Sequence, residues 1–184
     1  GNSPRLNEKA TNVPNSFLKA VKGVNNIKKY FKNIQLTAHT VITKDIVPFL
    51  NEHTDFLIKT GFNAVNFLYL MPNSKTNRLL APDSDATKYK LKEVIDAYKD
   101  KIYIHIGYFE PCLMPGYEEY FDSNDFDMEF TSNCNDFFEE WGKTLIKNKT
   151  KTKECYPCRF LKTCMGHWNT WKGLDNLKLL KKHQ

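Results

Sequence analysis

Ala64-Val65-Asn66-Phe67-Leu68-Tyr69-Leu70-Met71 is a nearly unbroken apolar run, and Pro72 closes it. Such a run suits a strand buried on both faces, as in a parallel sheet. Upstream, residues 34–42 alternate, with fairly apolar side chains on both faces, and read as a central strand. Downstream, residues 102–109 read as a third strand, with Ile102, Ile104 and Ile106 on one face. Each strand follows a stretch of helical spacing. Phe17, Ala20, Val21, Val24, Ile27 and Phe31 precede the first, with Ser16 as cap and Asn33 as stop. Ile46, Phe49, Leu50, Phe56 and Leu57 precede the second. There Thr43 or Asp45 serves as cap, Pro48 fits the first turn, and Gly61 is the stop. Leu91, Val94, Ile95 and Tyr98, within a helix over about 85–99, precede the third.

Helix then strand, three times over, builds a parallel α/β sheet with right-handed crossovers. Three strands leave both edges of such a sheet open, so another copy, another chain or further polypeptide is expected to complete it. The polar residues 1–15 read as a loop, and the dozen residues before Ser84 as another. After Phe109 the alternation breaks at Pro111-Cys112-Leu113-Met114-Pro115-Gly116-Tyr117. This loop leaves the carboxyl end of a strand, where ligands sit in α/β folds. Further on, short strands are expected around 126–130, a helix over 134–146, a charged linker over 147–153 and a terminal helix after Trp168.

The chemistry gathers near the end, in Cys155-Tyr156-Pro157-Cys158-Arg159-Phe160-Leu161-Lys162-Thr163-Cys164-Met165-Gly166-His167-Trp168. The spacing is C-x2-C-x5-C. The first two thiols turn to one side, the third closes a short loop over a shared metal, and Gly166 lets the backbone approach the sulfurs. A fourth ligand is required. Cys112 is the better fourth thiol for an iron–sulfur cluster, and Cys134, near a helix start, is the one left over. Zinc fits the same spacing with His167 as fourth ligand. Disulfides are the third possibility, but no signal peptide or apolar leader points to an oxidising compartment, so a cytoplasmic setting is expected.

The 184 residues are 41% apolar, enough for a core, and no apolar run approaches a membrane span. The net charge of +6 is unevenly spread. Residues 118–140 hold nine acids and no Lys or Arg, whereas from Lys143 onward eleven Lys/Arg face Glu154 and Asp175. Nucleic-acid contact by the basic tail is an alternative reading, but no nucleic-acid motif accompanies the charge. A solvated surface, or attraction between the two segments, explains it more simply. No GxGxxG, P-loop or GxSxG is present. His39, His53 and His105 stand alone and read as packed or surface histidines.

With Cys112 and the C-x2-C-x5-C-x-G-x-W run assembled, the chain resembles the radical S-adenosylmethionine superfamily, and more closely its members with a C-terminal auxiliary iron–sulfur domain of twitch or SPASM type. Val13-Pro14-Asn15-Ser16-Phe17 looks like the segment after the third barrel strand. His39-Thr40-Val41-Ile42-Thr43 and Asn66-Phe67-Leu68-Tyr69-Leu70-Met71-Pro72 look like the fourth and fifth strands, and residues 102–109 like the sixth. The resemblance implies half of a parallel (β/α)6 partial barrel over 1–110 and a small Cys-rich auxiliary-cluster domain over 111–184. It further implies a [4Fe–4S] cluster on Cys112, Cys155, Cys158 and Cys164. S-adenosylmethionine would lie against Thr40, Thr43, Leu70 and Met71 in the intact enzyme. One departure is decisive: the C-x3-C-x2-C loop that binds the catalytic cluster is absent. The chain is therefore expected to be inactive alone, to need an N-terminal barrel half in cis or in trans, and to come from a parent that modifies a peptide or protein.

Overall fold

The computed structural model describes residues 2–70, 79–121, 149–162, 164 and 166–168. Within them lie four α-helices of eight or more residues: α1 (Pro4–Thr11), α2 (Ser16–Tyr30), α3 (Leu50–Thr60) and α4 (Ser84–Tyr98). Strands β1 (Thr37–Ile42), β2 (Ala64–Tyr69) and β3 (Tyr103–Gly107) form one sheet in that order, parallel throughout. The class is mixed α/β with a small three-stranded parallel sheet, as the helix–strand alternation implies. A second ladder pairs β4 (Lys149–Thr150) antiparallel with β5 (His167–Trp168). Among the described residues no helix is long and apolar enough to cross a membrane.

The strand period separates two unlike faces. Thr40, Phe67 and Ile106 share one register row, and Val65 pairs Ile104 beside it, all buried. Leu50 and Leu57 of α3 and Leu91, Val94 and Ile95 of α4 join this face in one core. The opposite face carries exposed Val41 and Tyr103 and half-buried Asn66, Leu68 and His105. There His105 Nδ1 stands 2.9 Å from the Asn66 Oδ1 acceptor. The core continues past β3 into Leu113, Met114 and Phe121, and Phe121 bridges Ile106. Residues 111–121 thus share the sheet's core.

Several expectations need correction. Residues 1–15 contain a helix: Ser3 Oγ accepts from Leu6 N–H, Pro4 occupies the first turn, and left-handed Asn12 ends it. α1 has no fully buried residue, so its polar sequence gave no stripe to read. β1 starts at Thr37 rather than 34, and it is an edge strand of the described sheet, not a central one. α2 ends at Tyr30, short of Asn33. Pro48 lies in a 3-10 turn, Val47–Phe49, one turn ahead of α3. Neither Thr43 nor Asp45 caps α3 by its side chain; Asp45 pairs with Lys9 at 2.9 Å. Gly61 does end α3, at φ +90°. α4 begins one residue early because Asp83 accepts from Ala86 N–H at 2.8 Å. The expected elements at 126–130 and 134–146, the terminal helix, and the positions of Met71 and Cys134 lie outside the described residues.

His53 of α3 is 4% exposed, and its Nε2 lies 2.8 Å from Thr40 Oγ1. Burial pushes its imidazole down to about 4. A base with a lowered folded pKa stabilises the fold above its unfolded value near 6.5 and loses that contribution as pH falls toward 4. Urea unfolding between pH 7 and 4 should show up to about 3 kcal/mol lost through this group. A His53→Gln protein, which keeps a polar partner for Thr40 but does not titrate, should show a flatter profile. An unchanged slope would remove His53 from the account.

Candidate metal centre

Cys112 sits in the 3-10 turn Pro111–Leu113, directly beyond the carboxyl end of β3. Cys155 ends another 3-10 turn, Lys153–Cys155. The chain then coils tightly: Cys158 N–H donates to Cys155 O at 3.0 Å, Leu161 to Cys158 O at 3.0 Å, and Cys164 to Phe160 O at 2.8 Å. These turns bring the C-x2-C pair to one side, as the spacing implies. β4 and β5 pair Thr150 with His167 and so tie the two ends of the loop together.

Gly166 is needed at two levels. Its φ is +92°, and a Cβ there would lie 2.2 Å from the Thr150 carbonyl oxygen. Its N–H also donates to Cys164 Sγ at 3.3 Å. The close approach expected of this glycine is made to both backbone and sulfur.

Cys112, Cys155, Cys158 and Cys164 line one cavity together with His167. Its walls are almost wholly carbon and sulfur surface, Phe160 and Leu161 included. The cavity is small, about 20 Å³, and partly open to solvent. Burial pushes the Cys112 thiol up to about 12, with Glu110 and the other three sulfurs adding to the rise. Burial raises Cys164 as well, against the opposing Gly166 N–H. Both shifts favour the protonated thiols, so a metal held there would have to displace protons.

Behind the cavity lies a residue the sequence did not single out. Glu110 is 2% exposed, and neither of its carboxylate oxygens has a hydrogen-bond partner. His167 Nδ1 stands 3.5 Å from Glu110 Oε1, an ion-pair distance rather than a hydrogen bond. On its other side His167 Nε2 lies 3.8 Å from Cys155 Sγ. Burial alone would lower His167, but Glu110 and Cys155 together raise it. The ring is thus held between a buried carboxylate and a sulfur. Only the fold reveals this, because Glu110 and His167 are far apart in the chain.

Among the described residues, no three His, Cys, Asp or Glu groups gather as tightly as one metal ion demands. Two thiolates on one tetrahedral ion stand about 3.8 Å apart. Thiolates on separate corners of a multi-iron cluster stand wider, with inorganic sulfide between the irons.

The residues expected against S-adenosylmethionine fall elsewhere. Thr40, Thr43 and Leu70 line a separate cavity of about 550 Å³ that also touches α1, α2 and α3. Thr40 turns to the helix side, its hydroxyl bonded to His53, so it is a wall rather than a free polar contact. Met71 lies outside the described residues. Compared with family models, curated proteins and solved structures, the chain finds no match in any of the three.

Proposed function

We propose that this chain is the C-terminal part of a radical S-adenosylmethionine enzyme and that it carries an auxiliary [4Fe–4S] centre. The observation that carries the reading is the meeting of Cys112 with Cys155, Cys158 and Cys164 around one cavity. The parallel sheet, with Cys112 beyond the carboxyl end of its last strand, supports it. In this reading the sheet is half of a partial barrel, and the face opposite α3 and α4 looks inward.

When bound, the centre supplies a one-electron redox site with all four corners held by protein thiolate. No corner is then open to substrate, which favours electron relay or structural support over substrate ligation. Cys112 ties the tail to the sheet. Phe160 and Leu161 cover part of the sulfur surface. Glu110 orients His167, whose ring faces the Cys155 sulfur. Thr43, Leu70 and Met71 would form part of the cofactor wall in the intact enzyme, with Thr40 behind them. The chain alone lacks the C-x3-C-x2-C loop and is not expected to turn over. The parent's substrate is a peptide or protein.

A second reading rests on His167 Nε2 at 3.8 Å from Cys155 Sγ: a zinc module held by Cys155, Cys158, Cys164 and His167. Colour separates the two. Anaerobically purified protein should be brown, absorb broadly near roughly 400 nm, and hold about four irons and four sulfides per chain. A colourless protein with about one zinc would replace the first reading with the second.

A further inference from the structure

The cysteine loop over 149–168 is seated on the sheet without sharing its core. No described side chain of this loop belongs to the buried apolar cluster or packs against it, whereas Cys112 packs against that cluster and also lines the sulfur cavity. The loop closes on itself instead. Thr150 pairs with His167, Cys158 N–H donates to Cys155 O, and Cys164 N–H donates to Phe160 O. Lys151 Nζ donates to Leu161 O across the same turn. Phe160 and Leu161 face the small cavity beside Cys112. The loop therefore has its own internal order, and little apolar burial fastens it to the strands.

Polar contacts do not make up the difference. Arg159 pairs with Glu118, but its side chain is 67% exposed, and an ion pair so open to water holds little. His167 stands over Glu110 Oε1 at 3.5 Å, outside hydrogen-bond reach. Seating the loop also carries a standing cost. Glu110 is 2% exposed, and neither carboxylate oxygen has a hydrogen-bond partner. A buried carboxylate without donors is unfavourable, and water would satisfy it if His167 moved away. What can offset that cost is the set of sulfurs that meets at the cavity: one from beyond β3, three from the loop. Bonds from all four to a shared centre would join two segments that are distant in the chain.

We infer that residues 149–168 form a metal-dependent latch: Cys112 and the loop thiols, bound to one centre, hold the loop over Glu110, and loss of that centre releases it. Release uncovers Glu110 and Cys112 at the carboxyl end of β3, the end of a parallel sheet where ligands meet it. The state of the centre thus gates access to that end of the sheet. The inference rests on the four-thiol centre of the proposed function. Zinc held by Cys155, Cys158, Cys164 and His167 would leave the latch untied, since it would take no ligand from beyond β3.

The test labels carboxylates on the full chain with a carbodiimide and a glycine ester, anaerobically, before and after a chelator strips the iron. Glu110 should resist labelling in the brown protein and react about tenfold or more faster once stripped, as a local opening requires. Amide exchange at Ala64–Tyr69 should stay slow in both states, which shows that the sheet remains folded. Glu110→Gln removes the buried charge. In the stripped state its Cys112 should therefore be alkylated more slowly than Cys112 of the unaltered chain, because its latch stays seated for longer. Equal Glu110 labelling with and without iron overturns the latch while the brown colour leaves the iron–sulfur reading standing. Loss of protection at Ala64–Tyr69 on stripping overturns it in favour of global unfolding. Equal or faster alkylation in Glu110→Gln overturns the role given to that carboxylate. A protein that is colourless from the start overturns the iron–sulfur reading, and the latch with it.

Discussion

A Cys112→Ser protein is expected to emerge colourless from anaerobic purification, its iron falling from about four per chain to below about one. Three of the four thiols lie in one tight loop, but the fourth arrives from the end of β3. Serine offers a hydroxyl that stays protonated, so one corner of the cluster would have no protein ligand. Because burial holds the Cys112 thiol near 12, cluster assembly must displace its proton, and assembly should run better at pH 8 than at pH 6. His167→Gln is the informative partner. It should keep the iron and alter only the environment of the Cys155 sulfur. Under the zinc reading the two results swap: Cys112→Ser keeps its metal and His167→Gln loses it. Iron retained at full level in Cys112→Ser would end the four-thiol assignment.

Phe67→Ala should be the most damaging single change in the sheet. Phe67 is fully buried in the middle strand, between Thr40 and Ile106 in register. Loss of a buried phenyl ring costs about 3–5 kcal/mol through lost burial and the cavity left behind. That is a large share of the roughly 5–15 kcal/mol that holds a domain folded. Urea midpoints should therefore drop sharply or the protein should fail to fold. Leu68→Ala, one residue on and on the half-buried face opposite α3 and α4, should cost about 1 kcal/mol. Equal losses at the two positions would mean that the second face is covered in solution, against the one-sided sheet described above.

Much of this architecture was legible because apolar periodicity dominates it. The β2 run, the α4 stripe and the Gly61 stop lie within a residue or two of where the sequence placed them. α1 escaped because its eight residues bury none of their side chains, and its evidence is in its caps: Ser3, Pro4 and Asn12. β1 was misjudged as central because apolar residues on both faces suggest two covering layers. In the fold Val41 and Thr37 stay exposed, and only Thr40 and Ile42 are buried. At the candidate metal centre, the cysteine spacing and the place of Cys112 after β3 were readable as chain geometry. The Glu110–His167 contact was not, since neither residue carries a local signature and they are far apart in the chain.

The short ladder between Lys149–Thr150 and His167–Trp168 has a kinetic consequence. Under the proposed iron–sulfur reading, three sulfurs would already sit on one tether when an iron atom first arrives, so their effective concentration toward that atom would be high. Capture by Cys155, Cys158 and Cys164 would then be local, and the arrival of Cys112 from beyond β3 would be the slower step.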